Sequence, residues 1–349
     1  MRAFNLSPGD RAGLMDFLRE LVQTPSPSRH EGAVAARILH EMNELGFSDV
    51  RTDSAGNVMG RIGPSTGPTL MLNAHMDTVR VSAEDSWTRD PFRAEVDGGL
   101  LYGLGSCDMK GGLAAMVYGA KLLRDAELPL KGNVVVACVV QEETSEGLGT
   151  RALINESGLD VDWVVLGEPT NLNVSRGQRG RLEMQVVAHG KSAHAASPQL
   201  GENAIYVASR LVFGLELLAG QLGDDDFLGT GSLAVTEISS RAGSRNAIPD
   251  RCTLIIDRRL TLGENETKAL AEVQRVIARE GVSAEVTVPS YETATYTGHA
   301  CKTREFYPAW VIAADHPLVE AAVQAAQAQL KRRPHITRWG VSTEGVSTA

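Results

Sequence analysis

Three apolar runs in this chain each end in residues that bind cations, and that pattern narrows the possible folds more than any other feature. They read "LMLNAHMD" from Leu70, "NVVVACVVQEE" from Asn133 and "DWVVLGE" from Asp162. Short, nearly uninterrupted apolar runs read as strands buried on both faces. A helix-period stretch, "GGLAAMVYGAKLLRDA", separates the first from the second. Strands alternating with helices imply an α/β domain with a largely parallel sheet. In such sheets functional groups gather beyond the carboxyl ends of the strands.

The flanking sequence extends this reading. Ser7, Pro8 and Asp10 form a helix start, and "TPSPS" ends that helix. A second helix fits "HEGAVAARILHEMNELG", closed by Gly46. From Arg181 the rhythm becomes strand, helix, strand, strand, helix, strand, which is the ferredoxin-like split unit. Residues 1–177 and 297–349 are therefore expected to form one α/β domain, with residues 178–296 inserted as a smaller one. A chain of 349 residues, 43% of them apolar, can fill two cores.

Charge and cysteine usage exclude several functions. The formal net charge is −9 and there is no basic run, which argues against a nucleic-acid surface. The cysteines at 107, 138, 252 and 301 form no C-x-x-C pair, so neither a zinc knuckle nor a disulfide framework is indicated. "MRAFNLSPGD" has no apolar signal core, and no apolar stretch reaches the ~20 residues that span a membrane. A cytoplasmic protein is expected. "GKSAH" is not a nucleophile elbow, and no phosphate-cradling G-K-[ST] loop is present.

The strand ends supply His75, Glu142, Glu143 and Glu168, and "LYGLGSCDMKGG" adds Asp108 framed by glycines. A lone histidine after a strand is more often structural, but a succession of imidazole and carboxylate groups at strand ends suits a divalent cation. His75 offers a neutral ring nitrogen. Asp77, two residues on and on the same side of an extended chain, is placed to orient the ring. Glu142 and Glu143, pointing opposite ways on an extended strand, can divide the work between metal and water. Taken alone, "EETSEG" also suits a solvated acidic turn. Arg176, Arg179 and Arg181 suit either hinge solubility or an anionic substrate. Cys107, without a partner base, reads as structural.

Together "AHMDTV", "GLGSCDMKGG", "VVQEETSEG" and "LGEPT" resemble the dinuclear-zinc metallopeptidase family of acetylornithine deacetylase, succinyl-diaminopimelate desuccinylase, aminoacylase and carboxypeptidase G. "GKSAHAASPQLGENAI", "SRNAIPD" and "IIDRRL" resemble that family's lid and dimerisation domain, and "RGQRGRLEM" is similar to its selenium-metabolism-linked hydrolase branch. The resemblance implies a hydrolase of small N-acyl amino acids or dipeptide-like amides bearing a carboxylate, and a homodimer through residues 178–296. It implies His75 and Glu168 on one zinc, Asp108 bridging, Glu143 on the second, Asp77 orienting His75 and Glu142 as general base. It also implies His194 on the oxyanion from the partner subunit, with Asn246 and Arg259 gripping substrate. On the residues alone, His194 is equally a loop cap, and an arginine beside another, as at 258–259, is more often a solvated strand end than a clamp. Cobalt or manganese could replace zinc.

The family pattern also implies a later histidine for the second metal, and "RWGVSTEGVSTA" holds none. The expectation is one complete site (His75, Asp108, Glu168), a weaker second site and impaired catalysis. Rival readings are a metallo-aminopeptidase on short peptides and a non-catalytic metal-binding dimer scaffold.

Overall fold

The computed structural model describes residues 5–81 and 87–348; the first four residues of the stretch read for a signal lie outside them. Helix α1 (Pro8–Gln23) begins as its sequence directs, the Ser7 Oγ accepting the Asp10 N–H at 3.1 Å. Helix α2 (Gly32–Glu44) is followed by the hairpin strands β1 (Ser48–Thr52) and β2 (Val58–Ile62), then β3 (Thr69–His75). A small hairpin, β4 (Glu95–Asp97) and β5 (Leu100–Tyr102), precedes α3 (Gly111–Asp125), β6 (Asn133–Val139), α4 (Leu148–Ser157) and β7 (Trp163–Leu166).

The main sheet has the order β1-β2-β6-β3-β7. Strands β6, β3 and β7 run parallel, while β1–β2 and β2–β6 pair antiparallel. The sheet is thus mixed, its parallel run extended by antiparallel pairings because the hairpin inserts β2 beside β6. Both faces are covered, as the apolar runs require. Val134, Val136 and Cys138 of β6 point to a core with α1, α2 and α3, whereas Val135, Ala137 and Val139 point to a second core with Leu153 of α4. This is the two-residue alternation of a strand with no wet face.

After β8 (Val174–Gln178) the chain enters a second, antiparallel sheet. Its elements are β9 (Gly180–His189), α5 (Ala204–Ala219), β10 (Ser232–Ser240), β11 (Arg251–Leu260), α6 (Glu266–Glu280) and β12 (Ala284–Thr287), and its strand order is β10-β11-β9-β12. Helices α5 and α6 close its core through Val207, Leu211, Val273 and Val276. A hairpin of β13 (Ser290–Ala294) and β14 (Ala300–Arg304) comes next, and β15 (Phe306–Tyr307) returns to pair with β9. Strand β16 (Trp310–Val311), helix α7 (Pro317–Leu330) and β17 (Ile336–Trp339) follow, with β16 and β17 flanking β8. Among the described residues no helix is long and apolar enough to cross a membrane.

Candidate metal centre

The parallel run of β6, β3 and β7 brings three carboxyl ends to one edge of the main sheet. His75 is the last residue of β3 and pairs in register with Val139 of β6. Glu168 follows β7 and Gly167, whose N–H bonds the Asn73 carbonyl of β3 at 3.0 Å. Asp108 comes from the turn before α3. Gly112 lets that helix start against β7, since a Cβ there would lie 2.3 Å from the Gly167 carbonyl oxygen. The outcome is one donor atom each from His75, Asp108 and Glu168, all within 4.8 Å of one another. The Nε2 of His75 lies 3.1 Å from the Asp108 Oδ1. An imidazole and two carboxylates are a fitting donor set for a divalent cation such as zinc.

Asp77 meets the His75 ring through its main chain as well as its carboxylate. The Nδ1 of His75 faces the main-chain carbonyl of Asp77 at 2.9 Å, while its carboxylate is 3.6 Å away. That carboxylate, fully buried, accepts the N–H groups of Glu142 (3.0 Å) and Glu143 (3.1 Å) and the Ser28 hydroxyl (2.6 Å). Glu31, also buried, accepts the Gln141 N–H at 3.1 Å. Two acids therefore hold three consecutive amides. Strand β6 stops at Val139, and Gln141 has φ +59. Glu142 and Glu143 sit in a turn bent by Gln141, not on an extended strand, and the carboxylate–amide bonds hold the bend.

Electrostatics at this edge reflect crowded acids. Burial, reinforced by Glu168, Glu344 and Asp77, raises the Glu142 carboxyl well above the ordinary range, with His75 opposing. Burial likewise pushes Glu168 up to about 7 and Glu143 to about 6. Burial disfavours a charged His75, yet Asp108 and Asp77 outweigh it and raise that imidazole well above its usual value. A bound cation inverts this balance by favouring every carboxylate.

A pocket between the two sheets is lined by Asp108, Glu142, Glu143 and Glu168 on one side and by Arg181, Asp257 and Arg259 on the other. Arg259 thus faces the cation donors, with its guanidinium bonded to Asp257 at 2.7 and 3.0 Å. Its neighbour Arg258 is no solvated strand end; it is buried against Glu264 at 2.7 Å. His194 and Asn246 are not among the lining residues. They are exposed and adjacent, joined through Ala195 N–H to the Asn246 carbonyl at 2.7 Å.

Several contributors escaped the sequence reading. Ser28 and Glu31 lie in and just after the stretch read as helix punctuation, and only a helix opening on a buried acid hinted at Glu31. Lys110, two residues after Asp108, is buried and donates to the carbonyls of Leu21 and Thr24 at 2.8 and 2.9 Å, tying the Asp108 turn to the end of α1. Glu344 is buried, bonded to Thr150 and raised by burial to about 7. The four cysteines are free thiols, Cys138 and Cys252 buried and Cys107 exposed.

Comparison with known proteins places these features in context. The model of peptidase family M20/M25/M40 matches residues 71–346. YgeY of Escherichia coli (strain K12), described as uncharacterized, is 38% identical over 97% of this chain and 83% of its own length. Succinyl-diaminopimelate desuccinylase 2 of Ruegeria sp. (strain TM1040) is 30% identical over 75% of this chain and 68% of its own. The solved structure of Bacillus subtilis YXEP, described as a dinuclear metal binding peptidase, superposes with a TM-score of 0.67 at 18% identity, covering 97% of this chain and 85% of that one.

Proposed function

This chain belongs to peptidase family M20/M25/M40 and is a hydrolase; from that premise we propose that it cleaves the amide bond of a small N-acyl amino acid or dipeptide-like substrate, with Glu142 as general base. The observation that carries this is the buried Glu142 carboxyl lining the same pocket as His75's partners Asp108 and Glu168. Zinc is the cation we assign to His75, Asp108 and Glu168; Glu143 would help hold a second and weaker one. When bound, zinc polarises a carbonyl and lowers the pKa of water toward ~7.

The chain's own residues do the rest. Glu142 takes a proton from the attacking water as the new C–O bond forms. It returns that proton to the amine nitrogen as the C–N bond breaks. A carboxylate held at the cation edge can accept and then return the proton. Asp77 and Glu31 hold the Glu142–Glu143 turn by its amides. Arg259 meets the substrate carboxylate by exchanging its bonds from Asp257, a pairing that suits a planar guanidinium. The free thiols fit a reducing compartment, and we place the protein in the cytoplasm.

A substrate panel tests the reading. With zinc restored, N-acyl amino acids are expected to release amine faster than free-amine dipeptides do. Elemental analysis is expected to find one tight equivalent of metal and a second that washes out. Preference for free-amine dipeptides would move the assignment to an aminopeptidase, and no hydrolysis of either class would sink it.

We further propose a homodimer through the second sheet. Helix α5 exposes Tyr206, Phe213 and Leu217, and the edge strand β10 beside it exposes Ile238. Apolar side chains on an unpaired edge mark a contact surface. His194 and Asn246, on this body but outside its own pocket, would then serve the partner's pocket. Phe213→Glu with Leu217→Glu is expected to give a monomer by light scattering and to lower kcat about as much as His194→Ala does. A monomeric variant with full kcat would refute the shared site.

A further inference from the structure

Arg181 opens β9 directly after the first passage between the sheets, and it touches both passages and the catalytic turn at once. The two passages run side by side: a Cβ on Gly180 would lie 2.5 Å from the Tyr307 carbonyl and 2.6 Å from the Ala309 nitrogen. Arg181 and Tyr307 are register partners. The Arg181 Nη1 donates to both oxygens of Glu146 at 3.0 and 2.9 Å, and its Nη2 reaches Glu305 at 3.4 Å. The guanidinium also lies 5.4 Å from the Tyr307 ring centroid. Tyr307, fully buried, places its hydroxyl 3.2 Å from the Ser145 Oγ and 3.3 Å from Glu305.

Ser145 and Glu146 belong to the turn that presents Glu142 and Glu143; the Ser145 N–H closes that turn on the Gln141 carbonyl at 3.0 Å. The turn is thus held at two ends. Asp77 and Glu31 hold its amides from the main sheet. Arg181 and Tyr307 hold its far side from the second sheet. A solubilising arginine would point to water, whereas this one meets a carboxylate that is itself buried. Charge-assisted bonds from one guanidinium to Glu146 and Glu305 are stronger than neutral ones and link the turn to the second passage.

We propose that Arg181 is a positioning residue, whose bond to Glu146 ties the Glu142–Glu143 turn to the passage between the sheets. Any rotation of the second sheet then either carries the turn with it or breaks that bond. The proposal rests on Glu142 being the general base only for its kinetic consequence; its structural consequence stands without it.

The test uses Arg181→Met, Arg181→Lys, Glu146→Gln and the double variant Arg181→Met/Glu146→Gln, with Arg304→Met, which breaks an exposed pair with Glu266, as the control. Deuterium uptake is followed in peptides spanning 140–147, where the amides of Val140, Gln141, Glu142, Glu143 and Ser145 all have partners. Uptake there is expected to quicken at least tenfold in Arg181→Met, with peptides of β3 unchanged. In zinc-loaded protein kcat is expected to fall 10- to 100-fold at nearly constant KM and unchanged metal content, with partial rescue in Arg181→Lys. The double variant should be no worse than the worse single one. Native uptake and native kcat in folded Arg181→Met would overturn the proposal. Should Arg181→Met fail to fold, native uptake in Arg181→Lys and Glu146→Gln would overturn it equally. If the native chain hydrolyses nothing, the functional reading fails while the uptake data still decide this proposal.

Discussion

Glu142→Gln is expected to lower kcat/KM by about 10²–10⁴-fold, the usual worth of a positioned general base. Glutamine matches glutamate in shape but cannot accept the proton of water. The Glu142 N–H still bonds Asp77, so the turn stays in place. Metal content is expected to match the native protein, because Glu142 is not among the residues grouped to hold a cation. The thermal midpoint at pH 8 should hold or rise, since the change removes one acid from a buried crowd of them. Parallel assays of rate, zinc content and melting separate this outcome from simple unfolding. A variant that kept more than a tenth of native activity would remove Glu142 from the role of base.

Stripping the metal is expected to destabilise the protein more at pH 8 than at pH 5.5. Burial raises Glu31, Glu168 and Glu344 to about 7 and Glu143 to about 6 in the metal-free chain. A carboxyl raised on folding binds more protons folded than unfolded, so its share of stability is present at low pH and is lost as pH climbs through the folded value. His75, raised above its ordinary value, acts in the same direction. Asp77, lowered because His75, Ser28 and the Glu142 amide outweigh its burial, is ionised throughout this window and contributes evenly. The metal-free chain should therefore lose on the order of a few kcal/mol between pH 5 and 8. A cation neutralises the repulsion and adds about 4 kcal/mol at a thousandfold excess over its Kd. Melting curves of chelator-treated protein, with and without added zinc at both pH values, measure the difference. A zinc-induced gain no larger at pH 8 than at pH 5.5 would contradict this account.

Local periodicity carried far. The runs of β3, β6 and β7 announced buried strands, and strand ends bearing His75 and Glu168 announced a cation edge. The glycines around Asp108 announced close backbone approach, which Gly112 against Gly167 fulfils. What stayed hidden depends on contacts between distant segments. Nothing local to β2 says that it inserts beside β6, so the antiparallel half of the main sheet was not legible. The bend at Gln141 was hidden for a related reason: glutamine has no preference for a positive φ, and the acids that hold the bend come from Glu31 and Asp77, far along the chain. Arg181 read equally as solubilising or substrate-binding because its partner Glu146 lies 35 positions away.

The main sheet also has a temporal meaning. All five of its strands end by Leu166, and the donors His75, Asp108, Glu143 and Glu168 all precede the first residue of β9. Synthesis proceeds from the N-terminus, and domains tend to fold as units in that order. A nascent chain emerging from the ribosome thus holds these four side chains before any part of the second sheet exists. Metal loading can take place on this early unit, open to solvent on the side that β9, β11 and their arginines later cover.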